Sequence, residues 1–416
     1  MGFNPFKENG IALENQVKSW SQLSTMPYDP ETVFPYTRTR GILMNGIEVE
    51  GALFYHNWHR HTDNVDLRRQ LAMVRRIEQQ EQKMVNWMIP ALETTLEVTI
   101  GYEQLAVDLT AKKEPDPYVK AALDFALIED FDHLYRYANL MVQSDYKKAE
   151  AIVRDLTEVM PGRPTVIEHR HPFDGVRSFV DRVSADPLTL MHIMTIVAAE
   201  QQTMNFYMNI GNRECDIVGR SLYQEIGMVE EQHVTHYGSL IDPTSSWFEM
   251  AALHEYNECY LYYSCMLSEA NESVKNMWTQ LLEYEISHLH LIKELAMKYE
   301  KRDIEAMFPD EFPSPLILES GKDYVRQIID TQFNYTADRS EMIPIKNAES
   351  LSRFEEFLSL VNFGDYTPSQ EVVLRAVRDN GTDYRLQTNG DYPLEILKDR
   401  MLVPSREELI SYSMSR

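Results

Sequence analysis

Three stretches of this chain that read as helices place a carboxylate three residues before a histidine: Asp130 with His133, Glu230 with His233, and Glu285 with His288. On a helix, residues three apart project from nearly the same face, so the carboxylate and the imidazole can reach one metal ion together. Two of these pairs are each preceded by a lone glutamate, Glu200 and Glu255, at the same interval of thirty residues. That interval is about one helix, a tight turn and part of the next helix. Two such pairs on two helices, with one glutamate from each of two more, would surround two metal ions with oxygen and nitrogen ligands.

The helices that would carry these groups read as apolar stripes with the ligand types inside them. The first runs Ile193, Val197, Glu200, Met204, Tyr207, and the second Leu222, Ile226, Glu230, His233, Tyr237, Leu240. The third runs Phe248, Ala251, Glu255, Cys259, Tyr262, and the fourth Trp278, Leu281, Glu285, His288, Ile292, Leu295. A charge on such a stripe is expensive unless it is coordinated, paired or neutralised. A single Glu-x-x-His is common on helix surfaces. Two in matched register, each with an inward glutamate at the same interval, form a more demanding pattern.

On Glu200, Glu230, His233, Glu255, Glu285 and His288 the segment from Asp186 to Glu300 resembles the ferritin-like di-metal carboxylate superfamily, which includes ferritins and rubrerythrins. The resemblance implies an all-α fold, a ferritin-like four-helix bundle over 186–300 holding two metal ions. Glu200 and Glu255 would bridge them, and Glu230/His233 and Glu285/His288 would each hold one. Carboxylate and imidazole ligands suit iron, manganese or a mixed pair and do not discriminate against zinc. Glu258, three residues after Glu255, is similar to a second carboxylate that rubrerythrins carry on their third helix. The chain has no pair of Cys-x-x-Cys motifs, so a rubredoxin-type domain is not expected and electrons would come from an external donor or the substrate.

The upstream copy is less regular. Glu81 with Asn86 is similar to Glu200 with Asn205, and Asp130, His133 and Tyr137 to Glu230, His233 and Tyr237, which reads as an internal duplication. Two arrangements follow. In the expected one, the helices of 186–300 close the bundle and residues 64–145 are an accessory helix pair. In the other, Glu81, Asp130 and His133 join Glu200, Glu230 and His233. A third possibility is that the upstream pair is a buried polar network without metal.

Around these elements, residues 1–63 read as an irregular segment with a β-hairpin at Asn45-Gly46, and 146–185 as a connection. Residues 301–416 read as a helical appendage, with helices at 322–333, 351–361 and 369–377 and a turn at Asn389-Gly390-Asp391. The chain of 416 residues carries a formal charge of −25, which argues against nucleic acid or an anionic membrane as partner. Cys215, Cys259 and Cys265 show neither a disulfide framework nor metal-ligand spacing. No secretory signal and no long apolar run is seen, so a cytoplasmic protein is expected, with homo-oligomerisation open.

Three functions compete: an oxidoreductase that activates oxygen or peroxide to oxidise a small organic substrate, a rubrerythrin-like scavenger, and a non-catalytic iron-binding or storage protein. The length beyond a minimal bundle favours the first, because extra segments can wall a substrate pocket. No catalytic residue beyond the metal ligands is identifiable from the sequence.

Overall fold

The computed structural model describes residues 2–109, 111–145, 147–163, 169–214, 216–349, 351–362, 367–381, 392–395 and 411. Cys215 and the turn expected at Asn389-Gly390-Asp391 lie outside the described residues. Among the described residues the fold is all-α apart from one antiparallel pair of short strands, β1 (Tyr335–Asp338) and β2 (Glu341–Pro344). In chain order the helices are α1 (Leu13–Gln16), α2 (Pro35–Arg60), α3 (Val65–Asn86), α4 (Thr95–Asp108), α5 (Pro117–Ser144), α6 (Glu150–Val153) and α7 (Pro172–Gly175). They continue as α8 (Pro187–Ile210), α9 (Ile217–Gly238), α10 (Trp247–Ser268), α11 (Glu272–Tyr299), α12 (Lys322–Gln332), α13 (Leu351–Val361) and α14 (Pro368–Asn380). No helix among the described residues is long and apolar enough to cross a membrane.

The helix starts follow from local chemistry. Thr94 with Glu97 and Ser246 with Glu249 form reciprocal capping boxes at α4 and α10, while Asn64, Asp116 and Asn271 cap α3, α5 and α11 through their side chains. Proline opens α2, α5 and α14, where its fixed φ suits the first turn and its missing N–H costs nothing.

The chain divides into two compact units. Unit 1 comprises Met1–Leu92, Val180–Ala199 and Ile241–Leu318; unit 2 comprises Glu93–Phe179, Glu200–Leu240 and Glu319–Arg416. Within unit 1, α2 packs on α3, α3 on α11, α11 on α10 and α10 on α2, a closed ring of four helices. One end of the ring is filled by Phe54, Tyr55, Trp58, Leu71, Phe248 and Ile292. Within unit 2, α4 packs on α5 and α5 on α9. The part of α8 from Glu200 onward completes that set: Phe206 stacks on Tyr102 of α4 at 4.4 Å, and Tyr207 meets Tyr137 of α5 and Tyr223 of α9.

This partition departs from the bundle expected over 186–300. Two of its four helices, α10 and α11, belong to one ring, and α9 with the second half of α8 belongs to the other. Of the short connections that suggested one bundle, the one between α9 and α10 runs from unit 2 into unit 1, whereas those between α8 and α9 and between α10 and α11 stay within one unit.

The largest local departure is in 1–63. The hairpin expected at Asn45-Gly46 is the interior of α2, a 26-residue helix. Asn45-Gly46 is a turn signal only where the chain is free to turn. Here Ile42, Leu43, Met44 and Ile47 are all buried, and packing overrides the poor helix propensity of the glycines.

Candidate metal centres

In unit 2, four helices each bring a carboxylate, and two of them also a histidine, to one place. Asp130 (α5), Glu200 (α8), Glu230 and His233 (α9) have ligand atoms all within 4.8 Å of one another, as do Glu103 (α4), His133 (α5) and Glu230. Glu230 belongs to both groups. His133 Nδ1 lies 2.9 Å from Glu230 Oε1, and His233 Nδ1 lies 3.4 Å from Glu230 Oε2, 3.5 Å from Glu200 Oε2 and 3.5 Å from Asp130 Oδ1.

Unit 1 repeats the scheme. Glu78 (α3), Glu255 (α10), Glu285 and His288 (α11) form one group, and Glu48 (α2), Glu81 (α3) and Glu285 a second, sharing Glu285. His288 Nδ1 is 2.9 Å from Glu285 Oε2, 3.2 Å from Glu78 Oε1 and 3.6 Å from Glu255 Oε2. A third group, Glu78, His254 and Glu258, adjoins these.

The two units also match in how a tyrosine holds one carboxylate of the cluster. Tyr262 donates its hydroxyl to Glu48, and Tyr207 donates to Glu103. Each tyrosine follows its helix's ligand glutamate, Glu255 or Glu200, by seven residues, two turns along one face. Tyr55 in addition donates to Glu255.

Histidine orientation is fixed from behind. His233 Nε2 donates to Glu129 Oε2 at 2.8 Å, leaving Nδ1 toward the carboxylates, and Glu129 is itself paired with Arg170 at 3.3 Å and Arg163 at 3.5 Å. In unit 1, the Gln16 amide nitrogen donates to the Ile11 carbonyl, so its oxygen accepts from His288 Nε2 at 2.9 Å. A carboxylate behind an imidazole raises its basicity more than a neutral amide does. Glu129→Gln is therefore expected to weaken metal binding in unit 2 by about 10–100-fold and to leave unit 1 unchanged, read by titration calorimetry with Zn(II).

Electrostatically these are crowded sites. Burial raises the carboxyls of Glu48, Glu81, Glu103, Asp130 and Glu258 well above the usual range, and neighbouring carboxylates add to the push. Burial also pushes Glu200 and Glu285 up to about 8 and Glu255 to about 7. For Glu230 burial acts upward, but His133 and His233 outweigh it and hold the carboxyl well below its ordinary value. Burial acts downward on His233 and His288, and the carboxylates around them outweigh it. His254 is lowered to about 4 by burial.

The donor set fits metal ions on a further observation. Both carboxylate oxygens of Glu78, Glu81, Glu230 and Glu258 are closed off from solvent without a well-aligned hydrogen bond. Buried carboxylates in that state carry a large desolvation cost that a bound cation removes.

The structure thus brings together Glu200, Glu230, His233, Asp130 and His133 in unit 2, and Glu255, Glu258, Glu285, His288 and Glu81 in unit 1. It does not bring the six residues expected to share one site into one cluster, nor Glu81 to Asp130. The accessory pair of the expected arrangement is instead divided between the units. Glu48, Glu78, Glu103, Glu129 and His254 were missed. Glu48 was detectable, standing thirty residues before Glu78 just as Glu255 stands before Glu285.

No protein-family model matches the chain, and no curated protein or solved structure was found to be similar to it.

Proposed function

We propose that this protein is a di-metal carboxylate oxidoreductase with two centres, one in each unit, each built on a four-helix arrangement that resembles the ferritin-like proteins. The carrying observation is that in each unit two adjoining ligand groups share one carboxylate, Glu230 in one and Glu285 in the other. A shared carboxylate is what a bridged pair of ions requires.

Glu103, Asp130, His133, Glu200, Glu230 and His233 would hold the pair in unit 2, and Glu48, Glu78, Glu81, Glu255, Glu285 and His288 that in unit 1. Iron or manganese bound there supplies reduction of oxygen or peroxide, with electrons drawn from a small organic substrate or an external donor. The chain's own part is to exclude water, to fix each imidazole by the hydrogen bond behind it, and to hold one carboxylate of each cluster by a tyrosine hydroxyl. The tyrosine hydroxyls on Glu48 and Glu103 also keep a proton beside each cluster.

An organic substrate is supported by a cleft of about 380 Å³ in unit 2, lined by Arg170, Gln232, Met228 and Phe357 among others. Its mixed polar and apolar wall suits a small molecule. Arg170 connects that wall to the cluster, because its partner Glu129 accepts from His233.

The test is oxygen uptake by protein loaded anaerobically with ferrous iron. Uptake proportional to bound iron, and absent from the Glu230→Ala/Glu285→Ala double variant, is expected. Uptake no faster than that of free iron would contradict the reading. Faster turnover with peroxide than with oxygen would favour the scavenger reading, which the buried Glu258 beside the unit 1 groups supports.

A further inference from the structure

We infer that unit 1 holds a third divalent-cation position, formed by Glu78, His254 and Glu258 in the space kept open by Gly51. The inference rests on the metal-binding reading of unit 1, since Glu78 also belongs to the group with Glu255, Glu285 and His288.

Four observations carry it. His254 and Glu258 stand four residues apart on α10 and so share a face, with His254 Nε2 3.3 Å from Glu258 Oε1. Glu78 reaches the same point from α3, and ligand atoms of all three lie within 4.8 Å of one another. The three residues are almost completely buried, at 0–1% exposure, and His254 Nε2 makes no hydrogen bond. The fourth observation is Gly51 of α2. A Cβ built there would stand 2.6 Å from His254 Nε2 and 2.5 Å from Glu78 Oε2, inside the space where the donors converge.

A glycine in a helix interior is less favourable than alanine. Here its role is to let the α2 backbone pass without filling the cluster. One imidazole and two carboxylates favour a transition-metal ion of the zinc, iron or manganese kind over calcium or magnesium, which take oxygen ligands.

Among the described residues α8 offers no counterpart beside Glu200, because the residues that stand to Glu200 as His254 and Glu258 stand to Glu255 are Ala199 and Thr203. Through Glu78 the third position would adjoin the group that Glu78 forms with Glu255, Glu285 and His288.

The test is Co(II) loading of the full chain, with bound cobalt counted by elemental analysis and folding checked by circular dichroism. His254→Leu and Gly51→Ala are each expected to lose one cobalt per chain relative to wild type and to keep the rest. Glu285→Ala should lose the neighbouring ions. Wild-type counts in both His254→Leu and Gly51→Ala would overturn the third position and leave the proposed pair standing. A wild-type count that Glu285→Ala does not lower would overturn the metal reading of unit 1, and this inference with it. An anomalous map at the cobalt edge of loaded wild-type crystals reads the same position without any variant. A peak between His254 and Glu78 is expected there, and no peak would overturn the inference.

Discussion

Glu230→Ala is expected to strip the paired metal ions from unit 2 while unit 1 stays loaded, and Glu285→Ala to strip the pair from unit 1 while unit 2 stays loaded. Each of these carboxylates belongs to two ligand groups of its own unit and to none of the other's. Removing one takes away a ligand from two positions together and leaves like charges facing across the gap. Even residues that only orient ligands change affinity by about 10–100-fold, so loss of a shared ligand should lower affinity by at least about 100-fold. Elemental analysis after loading and gel filtration reads the outcome: partial loss in each single variant, and in the double variant loss of every ion except the one inferred at Glu78, His254 and Glu258. Glu231→Ala, at a residue beside Glu230 that belongs to neither group, is the control and should retain the wild-type content. Complete loss from either single variant would mean that the two clusters are one site, the arrangement the short α8–α9 and α10–α11 connections had suggested.

The metal-free protein is expected to lose stability as pH rises from 6.5 to 8.5 and to regain it when metal is added. Glu200 and Glu285 are pushed to about 8 and Glu255 to about 7, against an ordinary carboxylate value near 4.3 in the unfolded chain. A raised pKa means that the folded state favours the protonated form. The associated stability is fully present below about pH 4 and is lost as pH rises through 7 and 8. His233 and His288, also raised, act with the same sign. Glu230, depressed, contributes stability that is lost only as pH falls below the ordinary carboxylate range, and His254, lowered to about 4, opposes the trend only below about pH 6.5.

Across the chosen window the raised groups therefore decide the sign. A fall of about 5 °C or more in the Tm of the metal-free protein is expected by calorimetry. A metal ion at a hundred times its Kd contributes about 2.7 kcal/mol per position, enough to restore that loss, and more so at higher pH, where fewer protons must be displaced. A Tm that is flat across the window, or unmoved by metal, would contradict the account.

The helices that carry the Asp130, Glu230 and Glu285 motifs were legible because a polar ligand inside an apolar stripe stands out against its neighbours. Helix α2 was not. It is buried on most sides over Tyr36–Glu48, so it shows no amphipathic period, and its three glycines read as turn residues. Glu48 was lost with it, although its interval to Glu78 repeats that of the later pairs. Glu103 was obscured differently: it precedes Asp130 by twenty-seven residues rather than thirty, and a shift of three residues leaves a side chain on the same helix face while breaking the spacing rule. In the upstream copy Glu81 was matched to Glu200 through the asparagines at Asn86 and Asn205, whereas Glu81 sits in unit 1, where it joins Glu48 and Glu285.

The pairing of hairpins was the least legible feature. Each helix pair carries half of a site, and its own sequence is equally compatible with any other half. The choice is made by surfaces far apart in the chain, such as Trp58 and Leu71 against Phe248 and Ile292 in unit 1.

The most direct measurement of the central claim is an anomalous diffraction map at the iron edge, from crystals of the full chain loaded anaerobically with ferrous iron. Two adjoining peaks flanking Glu230 and two flanking Glu285 are the expected result. Peaks in only one unit, single peaks, or none within ligand distance of these carboxylates would contradict a pair of di-metal centres.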